Sequence, residues 1–182
     1  MKFITQPSVL GTQSYGEEMA KADYPMTQAV RVLRERKIDF TPHLYEYEEK
    51  GGTRRSSEEL GVDEHSVVKT LVMEDESRKP FIILMHGDRA VSTKQLARVM
   101  NVKSVRPCEV NTAQKHTGYL VGGTSPFGTR TKLPVFAEKT IFDLPKIYIN
   151  GGKRGFLVSI DPKVLKDVLH AEEVEVAIEK GA

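Results

Sequence analysis

A chain of 182 residues with 39% hydrophobic and 29% charged residues has the composition of one globular domain around a single core. No apolar run reaches the roughly 20 residues a membrane helix needs, and the N-terminus lacks the charged-then-apolar order of a secretory signal. The lone Cys108 excludes an internal disulfide and any CxxC metal or redox centre, so a cytoplasmic protein without metal or cofactor is expected.

The net charge of +2 conceals an uneven distribution. Between His86 and Arg154 there are twelve Lys or Arg against four acids, which leaves the remainder acidic by six. A basic segment of that size favours a polyanionic partner.

Residues 1–24, with Pro7, Gly11 and Gly16 and little apolar periodicity, predict an extended or poorly ordered leader, and residues 25–182 a single domain. After Pro25, Ala29, Val30, Val32 and Leu33 recur at helical spacing, with Met26 or Thr27 near the start and the end reached by Asp39. His43–Tyr47 alternates as a strand with His43, Tyr45 and Tyr47 on one face. Gly51 and Gly52 make a loop, Ser56 or Ser57 caps a short helix over Glu58–Leu60, Gly61 stops it, and Asp63 caps a further turn.

Val67–Met73 and Phe81–Met85 predict a hairpin of two buried strands. Period-two alternation puts Lys69 on a face with Val67, Leu71 and Met73, and Val68, Thr70 and Val72 on the other. Both faces are apolar. The Lys69 ammonium therefore either snorkels to a strand end or enters a polar pocket with an anionic or carbonyl partner.

Ser92 and Gln95 form a capping-box pattern before a helix carrying Leu96, Val99 and Met100; a short strand over Val102–Val105 and a helix over Glu109–Lys115 follow. Thr117–Arg130 reads TGYLVGGTSPFGTR. Tyr119–Val121 has strand character, Gly122 and Gly123 break it, and Thr124, Ser125 and Pro126 turn the chain. With glycines at 118, 122, 123 and 128, backbone N–H groups there can face an incoming carbonyl or phosphate oxygen.

Leu133–Phe136 and Lys146–Ile149 are strand candidates. Asn150, Gly151 and Gly152 form a second glycine turn before Lys153 and Arg154, and Phe156–Ile160 is a further strand. Asp161 and Pro162 start a helix over Lys163–His170, and Val174–Ile178 closes as an edge strand. Short strands interrupted by short helices, without βαβ alternation, predict an α+β fold built on a mixed sheet or partial barrel.

The familiar catalytic constellations are missing. There is no GxSxG elbow, no Walker loop and no HExxH, and histidines 43, 65, 86, 116 and 170 lack metal-ligand spacing. What remains is two glycine turns, Lys69 in an apolar strand, hydroxyls on Thr124 and Ser125, and positive charge. Such a set can hold and polarise a carbonyl, and it serves a non-catalytic module that binds a nucleotide or nucleic acid equally well. It supplies no obvious general base.

Three motifs, VVKTLV around Lys69, TGYLVGGTSPFGTRTKLP from Thr117 to Pro134 and IYINGGKRG from Ile147 to Gly155, in that order and spacing, resemble the YbaK/EbsC family of Cys-tRNA(Pro) deacylases. The likeness spans about residues 26 to 170 and extends to the editing domain inserted in bacterial prolyl-tRNA synthetases.

The resemblance implies a trans-editing hydrolase that cleaves the ester between a wrong amino acid and the tRNA 3′-terminal ribose. It implies Lys69 and Gly123 as the catalytic pair, the lysine holding the terminal adenosine phosphate or the aminoacyl carbonyl. Tyr45, Gly122, Thr124, Ser125, Asn150, Gly151, Gly152, Lys153 and Arg154 would line the substrate site. The mechanism it implies is substrate-assisted, the thiol of the bound cysteine attacking its own ester carbonyl. The implied partners are the tRNA acceptor end and prolyl-tRNA synthetase. Asn150 and Leu157 depart from the family's pattern, and both bear on which amino acid is edited.

Overall fold

The computed structural model describes residues 23–181. The chain enters at α1 (Gln28–Glu35), where the Thr27 hydroxyl accepts from the Val30 N–H at 3.1 Å and Ala29, Val30 and Leu33 face the core. Next come β1 (Thr41–Leu44) and α2 (Gly52–Leu60). The hairpin of β2 (Val67–Asp75) and β3 (Pro80–His86) turns at Asp75, whose Oδ1 accepts from the N–H groups of Ser77 and Lys79 at 2.8 and 2.9 Å.

Beyond the hairpin run β4 (Arg89–Val91), α3 (Thr93–Val99), β5 (Val105–Pro107), α4 (Val110–Thr117) and β6 (Val135–Glu138). The chain closes with β7 (Ile147–Lys153), β8 (Phe156–Ile160), α5 (Val164–Leu169), β9 (Glu172–Val174) and β10 (Ala177–Glu179).

The strands form the expected mixed sheet, in the order β1-β8-β7-β2-β3-β6-β9, with β5 also on β2 and a separate β10-β4 ribbon. The β2/β7, β3/β6 and β6/β9 pairs are parallel; the others are antiparallel.

The hairpin alternation holds. Val68, Ile82 and Leu84 join the core under α1 and α5, whereas Met73, Phe81, Ile83 and Met85 join a second core with Leu96 of α3. Lys69 accordingly leaves β2 on the Leu71 and Met73 side.

Several expectations are corrected. Tyr119–Val121 forms no strand: Gly118 ends α4 in the left-handed region, Tyr119 turns inward to donate to the Phe127 carbonyl at 2.6 Å, and Leu120 is 60% exposed. The stretch bonds to itself, Gly123 N–H to Leu120 O at 2.9 Å, and among the described residues no strand lies alongside to pair with it.

Asn150–Gly152 is not a free turn but a bulge inside β7, where the register against β8 jumps from Asn150↔Leu157 to Lys153↔Phe156. β1 stops at Leu44, although the Tyr45 N–H still donates to Gly155 O at 2.9 Å. α2 begins at Gly52, so Ser56 and Ser57 lie inside it as back-bonded hydroxyls rather than caps.

The segment Val174–Ile178 splits into β9 and β10, because the buried Glu138 carboxylate accepts from the N–H groups of Val176 and Ala177 at 2.8 and 2.9 Å and fixes a bend there. The expected leader lies outside the described residues except for Asp23 and Tyr24. Tyr24 is no leader residue, since its ring stacks on Phe156 at 6.0 Å.

Candidate active site

β3 lies along one edge of β2 over Val68–Glu74. On the other edge β7 pairs only with Val67 and Val68, and β5 only with Met73–Asp75. Between them the strand edge is open, and a cleft of about 620 Å³ lies along it. That volume suits a nucleoside-sized ligand.

α2 and the segment before it line the cleft with Tyr45, Tyr47, Thr53 and Arg55; α4 and the glycine stretch line it with Val110, Ala113, Val121, Gly122 and Thr124. Asn150 and Arg154 border it at the β7 end.

Lys69 lines this cleft and is half-buried, and its ammonium donates to the Arg89 carbonyl of β4. The sequence left this lysine a choice between snorkelling and a carbonyl or anionic partner; the carbonyl is what it has. Burial, reinforced by the Lys180 charge, holds its pKa below the ordinary lysine value, with Glu64 and Asp88 opposing. An ammonium has three donors, so two protons remain for a ligand.

The two glycine motifs clasp each other. Asn150 Nδ2 donates to Gly122 O at 3.3 Å, Arg154 Nε donates to Val121 O at 2.9 Å, and Asn150 Oδ1 accepts from the Gly152 N–H at 2.7 Å. A Cβ on Gly123 would sit 2.7 Å from the Arg154 nitrogen and 2.9 Å from the Lys153 carbonyl carbon, both backbone atoms, so only glycine lets these segments meet. Gly122, at φ +90°, packs under the Tyr47 hydroxyl, and the Arg154 guanidinium lies 5.1 Å from the Tyr47 ring centroid.

The structure therefore brings Lys69, Tyr45, Gly122, Thr124, Asn150 and Arg154 to one cleft. Gly123, Ser125, Gly151, Gly152 and Lys153 are not on its wall. Ser125 is fully buried and its hydroxyl accepts from the Phe127 N–H at 3.3 Å. The Gly151 carbonyl accepts from Thr27, which ties the bulge to the start of α1. Gly123 packs on backbone across the β7 bulge, and the Lys69 ammonium bonds to β4.

Sequence reasoning missed Tyr47, Arg55 and Thr70 as cleft residues. Tyr47 was already set on one face with Tyr45 by alternation; nothing in the sequence marks Thr70, whose position depends on which strands flank β2.

Cys108 also reaches the cleft. Burial and the neighbouring Glu74 carboxylate push its thiol up to about 11, which disfavours the thiolate that a nucleophile needs.

His86, opposite Val68 on β3, stacks on His65 at 3.7 Å and is fully buried. Its Nδ1–H donates to the His65 carbonyl at 2.7 Å and its Nε2 accepts from Thr140 at 2.8 Å, which satisfies the neutral ring. Burial pushes its pKa down, so this histidine is structural. Among the described residues, no three His, Cys, Asp or Glu side chains are grouped to hold a metal ion.

A mixed sheet opened along one internal strand, with a lysine and a glycine loop on the resulting cleft, defines a ligand-binding α+β domain. Residues 49–168 match the model of the aminoacyl-tRNA editing domain, and the chain belongs to that family.

The chain is 24% identical over 151 residues to an Enterococcus faecalis protein provisionally named Cys-tRNA(Pro)/Cys-tRNA(Cys) deacylase EbsC, covering 82% of this chain and 92% of that one. It is 29% identical over 115 residues to a proline–tRNA ligase of Thermodesulfovibrio yellowstonii, covering 63% of this chain but 18% of the ligase. A solved structure provisionally described as a trans-editing enzyme for prolyl-tRNA synthetase shares the fold at TM-score 0.71 and 19% identity, over 86% of this chain and all of that one.

Proposed function

We propose that this protein is a trans-editing aminoacyl-tRNA deacylase that hydrolyses the ester of mischarged tRNA, with Cys-tRNA(Pro) as its principal substrate. The observation that supports this reading is the open edge of β2 in a member of the editing family, with a nucleoside-sized cleft lined by both Lys69 and the glycine loop.

In this reading the terminal adenosine lies toward Tyr47, Gly122 and Arg154, and the aminoacyl group reaches inward along β2. Lys69, still holding the Arg89 carbonyl with one proton, offers the others to a phosphate or carbonyl oxygen. Gly123 acts at one remove, by letting the loop and the β7 bulge close into the wall that Gly122, Asn150 and Arg154 present.

The cysteine thiol attacks its own ester carbonyl carbon: a sulfur–carbon bond forms, the bond to the ribose oxygen breaks, and the thiol proton goes to that oxygen. Water then opens the thioester. A well-oriented intramolecular attack accounts for roughly 7 to 11 kcal/mol of barrier without a protein base, consistent with the fully engaged His86 and the protonated Cys108.

The acceptor end of tRNA is the partner the basic residues serve, and prolyl-tRNA synthetase is the proposed source of the mischarged substrate, in the cytoplasm. Residues 25–182 act as one editing domain.

Deacylation of a panel of tRNAs charged with cysteine, alanine, serine and proline tests the reading. Release of cysteine well above the uncatalysed rate, with correctly charged Pro-tRNA(Pro) spared, is expected. Binding of tRNA without release of any amino acid would instead make this a binding module.

A further inference from the structure

Between Val68 and Met73, no strand among the described residues lies beside β2 on the edge away from β3. Along the strand, N–H and C=O groups alternate between the two edges. The Val67 carbonyl accepts from the Gly87 N–H on the β3 side, and the Val72 carbonyl accepts from the Cys108 N–H on the other. Odd-numbered residues therefore bond toward β3, and Val68, Thr70 and Val72 bond outward. Val68 is covered by β7 and the Val72 carbonyl by Cys108, so the Thr70 N–H and C=O, with the Val72 N–H beside them, face the cleft. The Thr70 hydroxyl is buried and has no hydrogen-bond partner among the described residues. A buried polar side chain without a partner is rare in native proteins, and one that sits beside unpaired strand-edge groups on a cleft wall marks a place for a ligand.

We propose that Thr70 is the docking and specificity-determining residue for the aminoacyl group, an inference that rests on the deacylase reading above. An aminoacyl ester carries an ammonium and a carbonyl on one α-carbon, the same pair that a strand residue presents. It fits the gap as a one-residue antiparallel strand. The Thr70 carbonyl accepts from the α-ammonium, and the Thr70 N–H donates to the ester carbonyl, where negative charge collects during attack.

The antiparallel direction sends the ester oxygen toward the Val68 end of the gap, where Asn150, Gly122 and Arg154 border the cleft and the ribose must follow. Directly opposed residues of an antiparallel pair place their side chains on the same face. The substrate side chain therefore lies beside the Thr70 hydroxyl, in a space walled by Val68, Val72, Val110, Ala113 and Val121. A small side chain with a thiol or hydroxyl fills that space and satisfies the hydroxyl. Alanine fills it without doing so. The substrate class is cysteinyl and seryl esters in preference to alanyl ones.

The test is the ratio of kcat/KM for Cys-tRNA to that for Ala-tRNA, on the same tRNA, in wild type, Thr70→Val and Thr70→Ser. Thr70→Val keeps the shape and removes the hydroxyl, and should cut the ratio by on the order of tenfold, as expected for one hydrogen bond. Thr70→Ser should keep most of it.

An unchanged ratio in a folded Thr70→Val protein overturns the Thr70 assignment and leaves the deacylase reading standing. A wild type that prefers alanyl over both cysteinyl and seryl esters overturns it too, and needs no variant. A wild type that releases no amino acid from any of these tRNAs overturns the deacylase reading itself, and the Thr70 assignment with it.

Discussion

The two edges of β2 have opposite fates. Toward β3 the strand is paired without interruption from Val68 to Glu74; toward β7 and β5 it is paired only at its ends. The continuous edge belongs to the cores: Ile82, Ile83, Leu84 and Met85 of β3 are fully buried. The interrupted edge forgoes ladder bonds in the middle of the sheet and opens a cleft there. One strand thus provides stability along one margin and a ligand site along the other, and substitutions on the two margins should separate folding from activity.

The largest effect is expected on the closed edge. Leu84→Ala removes a fully buried side chain from the main core and should cost about 2 to 5 kcal/mol in urea unfolding, with activity per folded molecule retained.

In the cleft, Lys69→Ala should lower kcat/KM by about a hundredfold or more, with little change in unfolding midpoint. The pH profile sharpens this. Because the Lys69 pKa is held below the ordinary 10.5 and the charged form is the one that donates, enzyme-catalysed release should fall as pH rises through that lowered value, and the fall should be absent in Lys69→Ala. A profile that stays level into the lysine range would show that the charge is not used.

Gly123→Ala sits between the two behaviours. Its methyl group meets backbone of Lys153 and Arg154, so the loop and the bulge must part, at a cost of about 1 to 3 kcal/mol. Activity should fall by on the order of tenfold through the displaced wall, and a crystal structure of the variant should show Gly122 moved away from Asn150.

The smallest expected effect is on the pH dependence of stability. His86 is held neutral with a lowered pKa, so as pH falls below about 6.5 the unfolded chain takes up a proton that the folded one does not, and stability declines. Thermal unfolding followed from about pH 7 to about pH 5 should show a decline that His86→Gln flattens.

How much of this was legible beforehand follows from where each signal resides. The β2–β3 hairpin was readable because its apolar runs are dense and its turn is charged, and the helix after Ser92 because its cap is local. Phe156–Ile160 appears with the boundaries its apolar run suggests.

The glycine stretch misled. Tyr119, Leu120 and Val121 have strand propensity, but a strand needs a partner, and none of the sheet's strands lies alongside. The Asn150–Gly152 bulge read as a turn for a related reason, since a bulge and a turn use the same glycines and differ only in whether pairing resumes.

At the site, Lys69 and Gly122 stood out as anomalies of composition, a charge in an apolar strand and a glycine pair. Thr70 could not, because a threonine in a strand is ordinary. It becomes informative only once β5 and β7 are known to stop short on either side of it. The charge asymmetry was legible as a sum, whereas the contact of Arg154 with Tyr47 and Val121 needed the fold.

The most direct measurement is a crystal structure of the protein with a non-hydrolysable cysteinyl-adenosine analogue. The account predicts the cysteinyl group in the gap between β5 and β7, its ammonium on the Thr70 carbonyl and its sulfur beside the Thr70 hydroxyl, with the adenosine toward Tyr47 and Arg154. An analogue bound elsewhere, with the β2 edge untouched, would contradict it.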